Sequence, residues 1–188
     1  MSIKEVMEKC FKMQQEFWKD NFNSYPKTPY MEEFNELFIE NSIDEEGYAE
    51  WKPIEQNTKI EENKIEKTLG LKLNLELKEF YSSYCFMQLI GKMRNGTIVY
   101  FDKIPSKKIN EYILEKYIDS SQVEKYDIFK SKCDLFELGS ATIDGNDGFL
   151  VCFDNIKGSV LFIYFVEKKV YDIGMSLYDL LNSFMEVY

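Results

Sequence analysis

The stretch DGNDGFLVCFDNIKGSVLFIYF, Asp144 to Phe165, decides how the C-terminal half is read. Three acids, Asp144, Asp147 and Asp154, stand among glycines and asparagines, so the segment is either a cation-binding loop or a pair of turns between strands. An EF-hand-type loop needs oxygen ligands at its first, third and fifth positions, Gly at the sixth and Glu at the twelfth. Counted from Asp144, the third position is Asn146, but the fifth is Gly148 and the sixth Phe149. The ligand template fails. Asp, Asn and Gly are also the residues that reverse a chain most easily. Asp144–Gly148 and Asp154–Gly158 therefore read as turns joining short strands, and no metal site is expected.

The neighbouring strings fit a strand reading: GTIVYF, DLFELGSAT, GFLVCFD, GSVLFIYFV and KKVYDIG are short apolar or alternating runs bounded by turn residues. The N-terminal third has another period. Ile3, Val6, Met7, Cys10, Phe11, Met13, Phe17, Trp18 and Phe22 recur at helical spacing, and NSYPKTPY, with two prolines, must end that helix. A second stripe runs from Ile60 through Ile65, Leu69, Leu73, Leu77, Phe80, Tyr81 and Tyr84 to Met87, with Gly70 marking a break between two helices. PSKKINEYILEKYI predicts a further helix with a Pro-Ser start. MSLYDLLNSFMEVY predicts a closing one, N-capped by Ser176 with Asp179 three residues on. Residues 31–57 are acidic and loop-rich, with room for a short helix or strand.

Composition narrows the function. At 188 residues with 45% hydrophobic and 16% aromatic content, the chain suffices for one well-packed domain. No apolar run approaches the roughly 20 residues that span a bilayer. The first residues show no signal-peptide pattern, so a cytoplasmic location is expected. Cys10, Cys85, Cys133 and Cys152 are scattered and the chain has no His, which argues against structural zinc and for four buried thiols. Without His, a nucleophile–base arrangement of the protease kind lacks its usual base. No phosphate-cradling glycine loop is present. Paired carboxylates could serve glycoside chemistry, but acids are too abundant for any pair to stand out. Catalytic residues and cofactors are therefore not expected.

The formal charge is −10, and it is concentrated. Between Tyr30 and Glu66, twelve acids face only Lys52, Lys59 and Lys64; the rest of the chain is nearly balanced. Nucleic acid and anionic membrane are poor partners for such a surface, and a cationic protein is a good one. The alternative is a solvated face that merely keeps the protein soluble. Candidate contacts are Glu32, Glu33, Glu36, Asp44, Glu45, Glu46 and Glu50. Trp51, after the run and before Pro53, either plugs the core from outside or anchors a partner.

The order of elements and several strings resemble the Syd (SecY-interacting protein) family within the SUKH superfamily. EFWKDNFNSYP is similar to the family's opening helix and its exit, and YAEWKPIEQ to its Trp-x-Pro segment. IEKTLGLKLNLELKEFYSSYCFMQL is similar to its helix pair, with Phe80 and Tyr81 at the Phe-Tyr place. GFLVCFDNIKGSVLFIY and SLYDLLNSF resemble a SUKH strand pair and closing helix. The resemblance implies an α+β fold: a single domain over 1–188, with an N-terminal helix at 3–22, an acidic connection at 30–58 and an α+β core at 59–188. Its mixed or antiparallel sheet would have about five to six strands, with helices on one side and an open groove. It further implies a non-catalytic binding protein. The partner would be a toxin domain neutralised by an immunity protein or, alternatively, the basic cytosolic loops of the SecY translocon. ATIDGNDG and YFVEKKVYDIG depart from the Syd pattern towards other SUKH members, which puts the immunity reading first.

Overall fold

The computed structural model describes residues 1–118, 133–164 and 166–188. Helix α1, Ile3–Phe22, begins where Ser2 and Glu5 form a reciprocal capping box, and it stops at Asn23, which takes the left-handed conformation ahead of the prolines. Its buried residues are Ile3, Val6, Met7, Cys10, Phe11 and Gln14, so only the first four turns press on the body. Gln14 is the polar member of that stripe. Its amide donates to the carbonyls of Tyr188 at 2.5 Å and Gln88 at 3.3 Å, which satisfies it while tying the C-terminus to α1.

Strand β1, Lys27–Pro29, pairs antiparallel with β2, Tyr48–Glu50; a short 3-10 helix, Glu32–Leu37, lies between them. β3, Ile54–Glu55, then pairs with β4, Tyr84–Cys85, across the predicted helix pair, α2 at Glu62–Leu69 and α3 at Leu75–Ser83. Gly70 supplies the left-handed C-cap of α2, and Asn74 caps α3. Glu66 joins the two helices. Although buried, its carboxylate accepts the Leu73 N–H and pairs with Lys72 at 2.5 Å and Lys78 at 3.3 Å. The hydrogen bond from Lys72 first, helped by those from Leu73 and Lys78, outweighs burial and lowers the Glu66 pKa to about 2.

Among the described residues the main sheet is antiparallel with eight strands, more than the five to six expected. They are β5 (Leu89–Met93), β6 (Ile98–Phe101), β7 (Tyr117–Ile118), β8 (Leu135–Ile143), β9 (Asn146–Asp154), β10 (Ser159–Tyr164), β11 (Lys169–Asp172) and β12 (Phe184–Val187). The order across the sheet is β11-β10-β9-β8-β6-β5-β12, with β7 also beside β8. Phe165, at the end of the predicted GSVLFIYFV strand, lies outside the described residues. Helix α4, Ile109–Glu115, starts from Lys108 in the left-handed region, not from the Pro-Ser pair. Helix α5, Leu177–Asn182, has the expected Ser176–Asp179 capping box. One apolar core runs from Ile3 through the helices and one sheet face to Val187.

The closing helix is shorter than its sequence predicts. Phe184 and Val187 are spaced for a helix face, yet they belong to β12, because β5 offers an unpaired edge. Phe184 lies flat on Gly91, where any Cβ would come within 2.2 Å of the ring, and the Tyr188 N–H reaches the Ile90 carbonyl at 3.0 Å. Gly139 is fixed just as firmly: its φ is +151°, and a Cβ there would sit 1.9 Å from the Tyr100 carbonyl oxygen. The α+β class is as expected, with helices α1, α3 and α5 against one face of the sheet, while Cys133, Leu135, Cys152, Leu161 and Ile163 form a smaller apolar cluster on the other.

Candidate functional site

The acidic connection folds around the β1–β2 ladder. Thr28 faces Ala49 on its inner side, and Ala49 is buried; Lys27–Glu50 and Pro29–Tyr48 face each other on its outer side. The chain at 37–39 borders β2 on the other flank, where Ile39 N–H donates to the Glu50 carbonyl at 2.8 Å and Phe38 bridges to Trp51. Because β1 and β2 run antiparallel, the end of β1 lies beside the start of β2, and Tyr30 N–H donates to the Gly47 carbonyl at 2.9 Å. Glu32 and Glu33 follow β1; Asp44, Glu45 and Glu46 precede β2. Pairing thus collects both acidic groups at one end of the ladder, a juxtaposition that sequence distance hides.

The candidate carboxylates divide into four sets. Glu32, Glu33, Glu45 and Glu46 are exposed and make no ion pair among the described residues. Asp44 is committed to the turn. Its Oδ1 accepts the N–H groups of Tyr48 at 2.9 Å and Glu46 at 3.2 Å, and its Oδ2 pairs with Lys27 at 3.1 Å. The Tyr48 N–H, then Lys27, hold the Asp44 carboxyl below its ordinary range. Glu36 is turned inward: both oxygens are shielded from solvent and accept no hydrogen bond among the described residues, with Lys107 at 3.7 Å. Glu50 is half-buried and receives the Tyr25 N–H at 3.4 Å.

Trp51 is corrected from contact to core. It is 1% exposed, and an indole so enclosed offers a partner no surface; it is the plug. The exposed apolar groups are instead Tyr48 at 42%, Tyr30 at 39% and Ile43 at 54%. The signal for Tyr48 was present: once Trp51 points inward, a period of two sends Ala49 in with it and turns Tyr48 and Glu50 out.

The later acids of the run are a different matter. Glu55 pairs with Lys4 at 3.1 Å, Glu61 with Lys64 at 3.1 Å, Glu62 with Lys78 at 2.8 Å, and Glu66 is enclosed as described. Unpaired negative charge is therefore concentrated between Glu32 and Glu46.

Elsewhere, a cleft of about 400 Å³ is lined by Gln88, Tyr100, Asp102, Lys103, Tyr112, Lys116 and Ser140. Lys116 sits 2.5 Å from Asp102 and 3.0 Å from Glu137. Burial works against its charge, but these two hydrogen bonds prevail and raise its pKa, so it stays a cation rather than a base. Cys10, Cys85 and Cys152 are buried free thiols, and Cys133 is buried too. Burial pushes Cys10 and Cys85 up to about 12, which keeps both protonated and weakly nucleophilic near neutrality. Asp147 accepts the Thr142 hydroxyl at 2.5 Å, and Asp154 the N–H groups of Ile156 and Lys157. Among the described residues no three Cys, Asp or Glu side chains converge as metal ligands, and no helix is long and apolar enough to cross a membrane.

Comparison with known proteins agrees with the resemblance in the sequence. The model of a family described as Syd protein (SUKH-2) matches residues 4–102, just over half of the chain and the whole of the acidic ladder. No curated protein matches the chain.

Proposed function

We propose, from the premise that the chain belongs to the Syd protein (SUKH-2) family, that it is a non-catalytic cytoplasmic protein whose acidic ladder end docks on a cationic protein surface. The family is one of protein-binding proteins, and the question is which partner this member takes. The observation that carries the reading is the set of unpaired carboxylates at one end of the ladder: Glu45 and Glu46 on the turn fixed by Asp44, beside exposed Tyr48, and Glu32 and Glu33 following β1 and exposed Tyr30. Tyrosine is enriched at binding hot spots, and charge around it speeds and orients encounter.

The partner we favour is a bacterial toxin domain, with this chain as its immunity protein. Two observations support it. The family match stops at residue 102, before the β8–β11 region whose sequence departs from the Syd pattern. In addition, unpaired carboxylates beside exposed aromatic rings suit a tight complex. A second reading, binding to basic cytosolic loops of SecY, draws support from the match itself, which is to Syd and contains the entire ladder.

Co-expression separates the two. A toxin domain encoded beside this gene, produced together with the chain, should leave cells alive and co-purify with a dissociation constant of about a nanomolar, near −12 kcal/mol. Cells that die regardless, while the chain is retained by SecY-containing membranes, would overturn the immunity reading in favour of the second.

A further inference from the structure

We propose that the outer face of the β1–β2 ladder selects arginine, so that a guanidinium of the partner stacks on Tyr48 or Tyr30 and pairs with the carboxylates of the adjoining turn. This rests on the ladder being the contact for a cationic partner, and it specifies the chemistry of that contact.

The inner side of the ladder is closed by Ala49 and the core, whereas its outer side presents Pro29 and Tyr48, both exposed. An added strand is a poor occupant for the β1 edge, since Pro29 has no N–H to offer it. The occupant therefore lies on the face. Charge complementarity makes it a cation: Glu45 and Glu46 are without ion-pair partners among the described residues, and the cation at the ladder, Lys27, is held by Asp44. The aromatic character of the face then chooses between cations. An ammonium is compact and strongly hydrated, whereas a guanidinium is planar, sheds water more readily, stacks on rings and gives a carboxylate two parallel N–H groups. The cradle is also set in advance. One oxygen of Asp44 holds the backbone N–H of both Glu46 and Tyr48, so carboxylate and ring spring from a fixed segment and lose little freedom on binding.

The test titrates the full chain at low salt with hexa-arginine and hexa-lysine peptides of equal charge, following backbone amides by NMR. The arginine peptide should bind roughly fivefold more tightly, with the Glu46 and Tyr48 amides moving most. The double variant Tyr30→Leu/Tyr48→Leu should bind both peptides equally, and Tyr30→Phe/Tyr48→Phe, which keeps the rings, should restore the preference. Equal affinities in the native chain, or a preference that survives the leucine variant, overturn the proposal. So do concentration-dependent shifts of these amides without peptide, which would mean that a second copy covers the face. If both peptides bind equally and both are lost in Glu45→Lys/Glu46→Lys, arginine selection fails and the cationic-partner reading stands. If neither peptide binds, both fall.

Discussion

Two turns of this molecule are built alike and used in opposite ways. DEEGY, at Asp44–Tyr48, and DNIKG, at Asp154–Gly158, both open with an Asp whose Oδ1 accepts two backbone N–H groups further along the turn. Each contains a glycine at positive φ, Gly47 at 83° and Gly158 at 70°. What differs is where the residues behind the Asp point. In the first turn Glu45 and Glu46 stand in solvent beside exposed tyrosines. In the second, Asp154 is 1% exposed, and Asn155 is buried, accepting the Asn74 N–H at 2.7 Å and donating to the Lys72 carbonyl at 2.7 Å. That turn clamps the α2–α3 connection to the sheet. An acidic turn is thus a surface or a joint according to what packs behind it, and the Asp itself does not tell them apart.

Reversing the charge at the first turn and on the acids that face it across the ladder end should damage binding and nothing else. Glu32→Lys, Glu33→Lys, Glu45→Lys and Glu46→Lys combined should weaken the partner complex at least 100-fold, about 2.7 kcal/mol, with an unchanged melting temperature. Added salt should slow association of the native chain, as screening sets in beyond about 10 Å at 0.1 M. Unchanged affinity in the variant would reduce the acidic end to a solvated face.

Breaking the second turn should damage stability and nothing else. Asn155→Ala leaves the Asn74 N–H and the Lys72 carbonyl without their partner, a loss of about 2 kcal/mol by denaturant titration, with partner affinity preserved. A loss of affinity on folded protein would show that the joint also shapes the contact surface.

The clamp within α2–α3 should show in acid. The Glu66 carboxyl is lowered in the fold from about 4.5 to about 2, so its stabilisation is complete above pH 4.5 and is lost as pH falls through 2. Glu66→Gln should be less stable at neutral pH and should lose this part of the acid slope, measured by thermal melts between pH 2 and 6. A slope identical to that of the native chain would mean that Lys72 and Lys78 hold Glu66 less firmly than their distances imply.

The smallest effect belongs to the hairpin turn. Asp144 is exposed at φ +50°, a conformation Asn adopts as readily, so Asp144→Asn should change stability by no more than about 0.5 kcal/mol and binding not at all. Stoichiometric calcium or magnesium binding lost in this variant would contradict the turn reading.

Legibility varied along the chain for identifiable reasons. α1, the break at Gly70 and the β9–β10 hairpin were readable because each has a strong period and a clear punctuating residue. β5 is not legible in the sequence because Gly91 interrupts its alternation, and Gly91 is there for the Phe184 ring, a residue 93 positions away. The sequence places β12 in the closing helix because Phe184 and Val187 satisfy either period over so short a run. At the candidate site, the acidic segment is legible in the sequence, but which ring faces solvent is not: Trp51 is buried and Tyr48 is exposed.

The sequence by itself determined the α+β composition, both ends of α1, the break at Gly70 and the start of α5, the turn character of the Asp-Gly clusters and the concentration of negative charge before Glu66, all properties of local period, capping and residue type. Only the tertiary structure decided which acids remain unpaired. Lys4, Lys72 and Lys78 neutralise Glu55, Glu62 and Glu66, and the antiparallel β1–β2 pairing brings Glu32–Glu33 to Glu45–Glu46. The reason is distance: a charge's partner is set by a few ångströms in space, and the chain positions that supply it are fixed only when the core closes.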